Sequence, residues 1–332
     1  MKKKLTLILT IFLSSKALAT PCHSSNIGFS DLESVFQIKK IRVFYSNNPL
    51  SKNFVVDRTD YNNNGIPDYV ENIAIQANTT IDALTQLGFL NPLFSQRYIG
   101  QADYIDIHLV YLNGNGIAYE VPVNFLKNPT KNNKCALLIK VRNNLEKFPG
   151  NYWTTVAHEI FHLYQYGYSQ FKGGWYLEGM ARQMEWVLKE DKIERKKNKL
   201  PSTYSELDKR VYQISYNKLW SRLVTLSDDL HNDISWSAEL KSRNYIDNSR
   251  VIKDNKLRGY KFIKSILENM KTISNKVSLE KGIDKNNWNE ETQNDPNNRL
   301  YVMKAIQMSM NQFGINKTDE EINFLKIIDN MN

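Results

Sequence analysis

Apolar positions along the chain change period several times, and the changes predict its elements. Residues 39–46 alternate in part and read as a strand. A polar loop follows from Asp57 to Asp68. Then Val70, Ile73, Ala74, Ala77, Ile81, Leu84 and Leu87 recur at helical spacing, and Gly88 ends that helix. In 103–112, Tyr104, Asp106 and His108 alternate with Ile105, Ile107 and Leu109, a second strand. Asn113–Gly116 is turn chemistry, and 136–141 is a short third strand. From Tyr152 onward the pattern is helical, with helices predicted over 175–189, 204–226, 257–271, 300–312 and 320–328. The charged run 190–199 and the Asn/Asp/Glu-rich stretch 285–298 read as solvated loops. The expected fold class is α+β. A mixed N-terminal lobe spans 20–170, and a mostly helical lobe spans 171–332.

The first residues change this picture. Lys2–Lys4, an apolar run from Leu5 to Leu13 and Ala17-Leu18-Ala19 form the three parts of a secretory signal cleaved after Ala19. A secreted or periplasmic protein is expected. Lys2, Lys3, Lys4 and Lys16 supply four of the +9 formal charges, so the mature chain carries +5. No dense Lys/Arg stripe is present, which argues against a nucleic-acid binder. No later apolar run is long enough for a transmembrane helix. A monomer acting on a protein or peptide partner is expected. Two cysteines, Cys22 and Cys135, can pair in an oxidising compartment, and their spacing leaves this open.

The sharpest chemical signal is His158-Glu159-Ile160-Phe161-His162. On a helix, positions i and i+4 share a face, so two imidazoles can bind one Zn²⁺. Glu159 between them can take a proton from a metal-activated water. Sixteen residues on, Trp175-Tyr176-Leu177-Glu178-Gly179-Met180-Ala181 offers Glu178 as a third ligand. Gly167, Gly173 and Gly174 allow a reversal between the two segments.

These segments together, V-A-H-E-I-F-H-L-Y-Q-Y-G-Y and W-Y-L-E-G-M-A, resemble the gluzincin zinc metallopeptidases. The resemblance is closest to secreted bacterial members with Trp-x-x-Glu-Gly-x-Ala after the H-E-x-x-H helix. Such proteins often carry a segment like Asn64-Gly65-Ile66-Pro67-Asp68-Tyr69-Val70-Glu71 as well. The resemblance spans about residues 40–190. It implies a zincin-like fold with a twisted mixed sheet, an active-site helix and a helical lobe closing the cleft. It implies a secreted zinc endopeptidase with His158, His162 and Glu178 as ligands and Glu159 as general base. In thermolysin-like gluzincins an Asp one turn after the Glu ligand orients the first His. Here Arg182 stands at that position, and Glu185, on the same helix face, is the alternative. Arg182 is then expected to bridge Glu178 and Glu185 by salt bridges. The oxyanion needs a donor from the C-terminal lobe, and Tyr216, His231 and Tyr260 are candidates.

A second metal signal lies upstream. Asp60, Asn62, Asn64, Ile66, Asp68 and Glu71 occupy positions one, three, five, seven, nine and twelve of a calcium-loop pattern with Gly65 at position six. The other reading is an Asn-rich turn whose Asp68 caps the helix after it. For function as a whole, the competitors are an aminopeptidase, for which no amine-holding segment is visible, and a non-catalytic extracellular binding or adhesion protein with a structural metal site.

Overall fold

A computed structural model describes residues 31–131, 134–150, 154–190, 198–228 and 233–331. The signal segment, Cys22 and His231 lie outside the described residues. Five strands form one mixed sheet: β1 (Ser34–Ile38), β2 (Ile41–Tyr45), β3 (Tyr104–Val110), β4 (Gly116–Ala118) and β5 (Ala136–Arg142). The spatial order is β1-β2-β3-β5-β4, with β2, β3 and β5 parallel and both edge strands antiparallel to their neighbours.

Alternation in the central strands builds the core. Ile41, Val43, Ile105, Ile107, Leu109, Leu137, Ile139 and Val141 face the helices and are fully buried. The other face is buried too, although it is partly polar. There Arg42 stands opposite Asp106 in register and binds it through two hydrogen bonds of 2.6 and 2.9 Å. His108 lies two residues further along the same face, between Phe44 and Phe125.

Ten α-helices are present among the described residues. α1 (Asp68–Gln86) ends where Gly88 takes a left-handed backbone, as expected of a glycine after a helix. α2 (Thr155–Tyr168) is the central helix, packed on α1, β4 and β5. α3 (Gly174–Met184) reverses direction and lies against α2, and a 3₁₀ turn continues it over Glu185–Leu188. Short α4 (Tyr204–Leu207) runs into a π turn, and α5 (Leu219–Ser227) packs on α3. α6 (Ala238–Ser242) precedes the long α7 (Tyr260–Lys281). After short α8 (Glu290–Gln293), α9 (Asn298–Gln312) packs along α7, and α10 (Asp319–Asp329) on α9. One apolar core joins residues from Ile41 to Ile328, so it continues across residue 170.

Several details differ from the periodicity. The strand expected at 39–46 is the second arm of a hairpin, since Lys39 takes a left-handed backbone and turns the chain. The single helix expected over 204–226 is broken. Asn217 stops it by donating to the carbonyls of Trp175 and Ile214 and by accepting from the Leu219 N–H. Gly167 is not a reversal glycine. It lies inside α2, where an added Cβ would sit 3.2 Å from Ser95, and the turn falls at Ser169–Gly173. Among the described residues no helix is long and apolar enough to cross a membrane.

Candidate metal centre

α2 buries one face against the sheet and turns His158, Glu159 and His162 toward a cleft of about 600 Å³. Because α3 runs back along α2, Glu178 reaches the same cleft. Its Oε2 lies 3.0 Å from His158 Nε2, and its Oε1 lies 3.5 Å from His162 Nε2. One donor atom from each of the three residues can be chosen so that all lie within 4.8 Å of one another. A tetrahedral ion with bonds of ~2.0–2.1 Å spaces its ligands by about 3.3 Å. Two imidazole nitrogens and a carboxylate oxygen at these separations suit a metal ion. The group is complete in ligands on one side and open to the cleft on the other.

The far nitrogen of each imidazole is held as well. His158 Nδ1 is 3.1 Å from Glu185 Oε2, and His162 Nδ1 is 2.8 Å from Gln165 Oε1. Both partners are hydrogen-bond acceptors, so they hold a hydrogen on Nδ1 and leave Nε2 of each ring as the nitrogen that faces Glu178. Glu185 is fixed in turn by Lys189 at 2.8 Å, and Gln165 by donating to the Leu177 carbonyl. Gln165 was not singled out in the sequence. Its signal is weak: it stands three residues after His162, on the same helix face.

Charge follows from this packing. Burial works against a charged His158, but hydrogen bonds to Glu178 and Glu185 outweigh it and carry the imidazole up to about 9. Burial drives His162 down to about 4, helped by the neighbouring His158. Burial also raises Glu178 and Glu185, yet hydrogen bonding to His158 leaves both below the usual carboxylate value. Glu159 is different. Burial pushes it up to about 7, against the pull of His158 and with the help of Glu178 and Glu185.

Glu159 sits under the edge strand β4. The Ala118 backbone hydrogen-bonds it, and a Cβ on Gly116 would lie 2.6 Å from Glu159 Cγ. Gly116 therefore starts a strand over the carboxylate as well as ending the Asn-Gly turn. The loop made by the break at Asn217 brings Tyr216 to the other rim, where its hydroxyl hydrogen-bonds Glu178. Burial is the main reason that this phenol is pushed up to about 12.

Arg182 departs from expectation. No ion pair joins it to Glu178 or Glu185, because His158 and Lys189 hold Glu185 and the imidazoles hold Glu178. Its guanidinium lies over the Tyr216 ring, 4.9 Å from the centroid. Tyr260 does not line the cleft. It opens α7 and packs on the core, and Gly259 just before it lies against Val224 of α5. His231 lies outside the described residues.

In the upstream loop the side chains turn inward. Asn62 and Asn64 donate to Glu71 at 3.0 and 2.9 Å, and Asp60 accepts from the Asn64 and Gly65 N–H groups. The Ile66 N–H bonds Asn64, and the Tyr61 N–H bonds Asp68. Burial raises the Asp68 carboxyl despite that bond, with Asp60 and Asp57 adding to the effect. Gly65 takes the left-handed backbone that the tight turn needs. Asp68 opens α1, and Pro67 holds the capping position in its place. Cys135 is disulfide-bonded, and the only other cysteine in the sequence is Cys22.

No family model, no curated protein and no solved structure matches the chain.

Proposed function

We propose that the protein is a secreted or periplasmic zinc endopeptidase with a zincin-like fold. Glu159 carries this reading. It lines the cleft beside the three metal donors but makes none of their contacts, and a purely structural metal site has no use for it. Zinc is favoured by the donor set of two imidazoles and one carboxylate with a side left open.

A bound zinc ion supplies Lewis-acid polarisation of a carbonyl and activation of water. The residues of the chain supply the rest. Glu159 accepts the proton of the attacking water at its carboxylate and returns it to the leaving amine. Tyr216 offers a phenolic hydrogen to the oxyanion, and its raised pKa keeps that hydrogen in place at neutral pH. An extended peptide pairs with the free edge of β4, which places a backbone carbonyl above Glu159. We also propose that the loop from Asp60 to Glu71 takes Ca²⁺ as a structural ion, through Asp60, Asn62, Asn64, the Ile66 carbonyl, Asp68 and Glu71. Rotating the Asn62 and Asn64 amides would turn their oxygens inward beside Glu71.

The test is cleavage of a denatured protein by zinc-loaded wild type and by two variants. Glu159→Gln should keep zinc and lose roughly 10²-fold or more in rate. Glu178→Gln should lose zinc and activity together, because it removes an anionic ligand. Full activity in Glu159→Gln sinks the mechanism. A zinc-loaded wild type that cleaves nothing points instead to an extracellular binding protein with a structural metal.

A further inference from the structure

The charged side chains around the cleft are unevenly matched. Glu185 is held by His158 and Lys189, and Lys189 in turn is taken up by Glu185 at 2.8 Å. Glu178 faces both imidazoles and the Tyr216 hydroxyl. Arg182 lines the same cleft, is exposed, and has no carboxylate partner among the described residues. It lies one turn of α3 beyond Glu178, and residues four apart share a helix face.

The guanidinium is held all the same. A cation–π contact, 4.9 Å from the guanidinium carbon to the Tyr216 ring centroid, restrains a long, flexible side chain, and the loop that presents Tyr216 is itself fixed by Asn217. Among the described residues no hydrogen bond or ion pair takes up its N–H groups, and a guanidinium presents these to a carboxylate as a two-pronged donor. The cation is thus oriented and unneutralised, about 6 Å along the helix from a proposed metal ligand.

We propose that Arg182 is a specificity residue that binds a carboxylate of the substrate beside the scissile bond. The proposal rests on the peptidase reading above. The carboxylate is either an Asp or Glu side chain or the free C-terminus of the peptide, and the experiment separates the two.

Zinc-loaded Glu159→Gln protein is used, so that binding is read without turnover. Fluorescence anisotropy measures the Kd of N-labelled octapeptides in which one Glu is walked through every position, each with its Gln counterpart. A second series compares free-acid and amidated C-termini. Hydrogen bonds to charged groups predict that one Glu position, or the free acid, binds roughly tenfold more tightly than its neutral counterpart. In the Glu159→Gln/Arg182→Gln double variant that ratio should fall toward one, and Arg182→Lys in the same background should restore part of it. Equal binding of charged and neutral peptides throughout overturns the proposal, as does a preference that survives Arg182→Gln. Cleavage of the same peptides by wild type is measured separately. A carboxylate preference without cleavage leaves the subsite standing and overturns the peptidase reading. Cleavage without the preference does the reverse.

Discussion

At the residue scale, Gln165 fixes how a candidate ligand is turned. Its carbonyl oxygen holds His162 Nδ1 at 2.8 Å, and its own amide is anchored on the Leu177 carbonyl. Gln165→Ala should leave all three ligands present and still weaken metal affinity by about 10–100-fold. Competition with a chelator of known affinity checks this, and an unchanged metal affinity would mean that the imidazole is oriented by packing alone. The residue is hard to see in the sequence because glutamine has no preferred place around a metal. The H-E-x-x-H pair, by contrast, is visible from spacing alone, since the helix period places both imidazoles on one face. Glu178 lies between these cases. Its place in the chain is legible, but its arrival at the site depends on where the Ser169–Gly173 turn falls.

At the element scale, glycines set how closely backbones approach. A Cβ on Gly179 would collide with the Trp220 indole, which donates to the Trp175 carbonyl. α3 can rest on α5 only because that side chain is missing. Gly179→Ala should lower stability by about 1–3 kcal/mol, the usual cost of overpacking, and move Glu178 with its helix. Urea denaturation with and without zinc checks both effects, and an unaltered zinc-dependent increment would mean that Glu178 stays put. The Asp60–Glu71 loop makes its own prediction. Calcium should raise the melting temperature of wild type, because an ion that binds only the folded state stabilises it. Asp60→Ala/Glu71→Ala should lose that response, and an unchanged response would make the loop a plain turn. Long elements such as α1 and the central strands are legible because their apolar periods are sustained. β4, three residues long, is too short to show a period, and the break before α5 is imposed by Asn217 from outside the helix. In both cases tertiary contacts outweigh the local pattern.

At the scale of the whole molecule, the sheet is buried on both faces, and one of those faces is charged. His108 stands there among Phe44, Phe125, Lys140 and Arg42, and burial followed by the two cations drives it down to about 3. An unfolded histidine titrates near 6.5. Between those values the unfolded chain binds a proton that the folded chain refuses. The stability from a neutral His108 is therefore complete above pH 6.5 and is lost progressively as pH falls toward 3. From pH 7 to pH 5 this amounts to roughly 2 kcal/mol. His108→Phe should flatten that slope, and urea denaturation of both proteins at the two pH values measures it. An equally steep loss in the variant would assign the acid sensitivity to other groups.

The brevity of β4 also bears on how these molecules behave when crowded together. An open sheet edge is a template for fibre growth, and proteins guard against it with short or obstructed edge strands. β4 is only three residues long, and just beyond it Glu120 is clamped by Arg97 at 3.0 Å and Lys172 at 2.7 Å. A neighbouring molecule laid edge to edge would gain too few ladder bonds to hold, whereas a flexible peptide can bend into the cleft. At the β4 edge, the short strand thus gives a neighbouring sheet little to pair with.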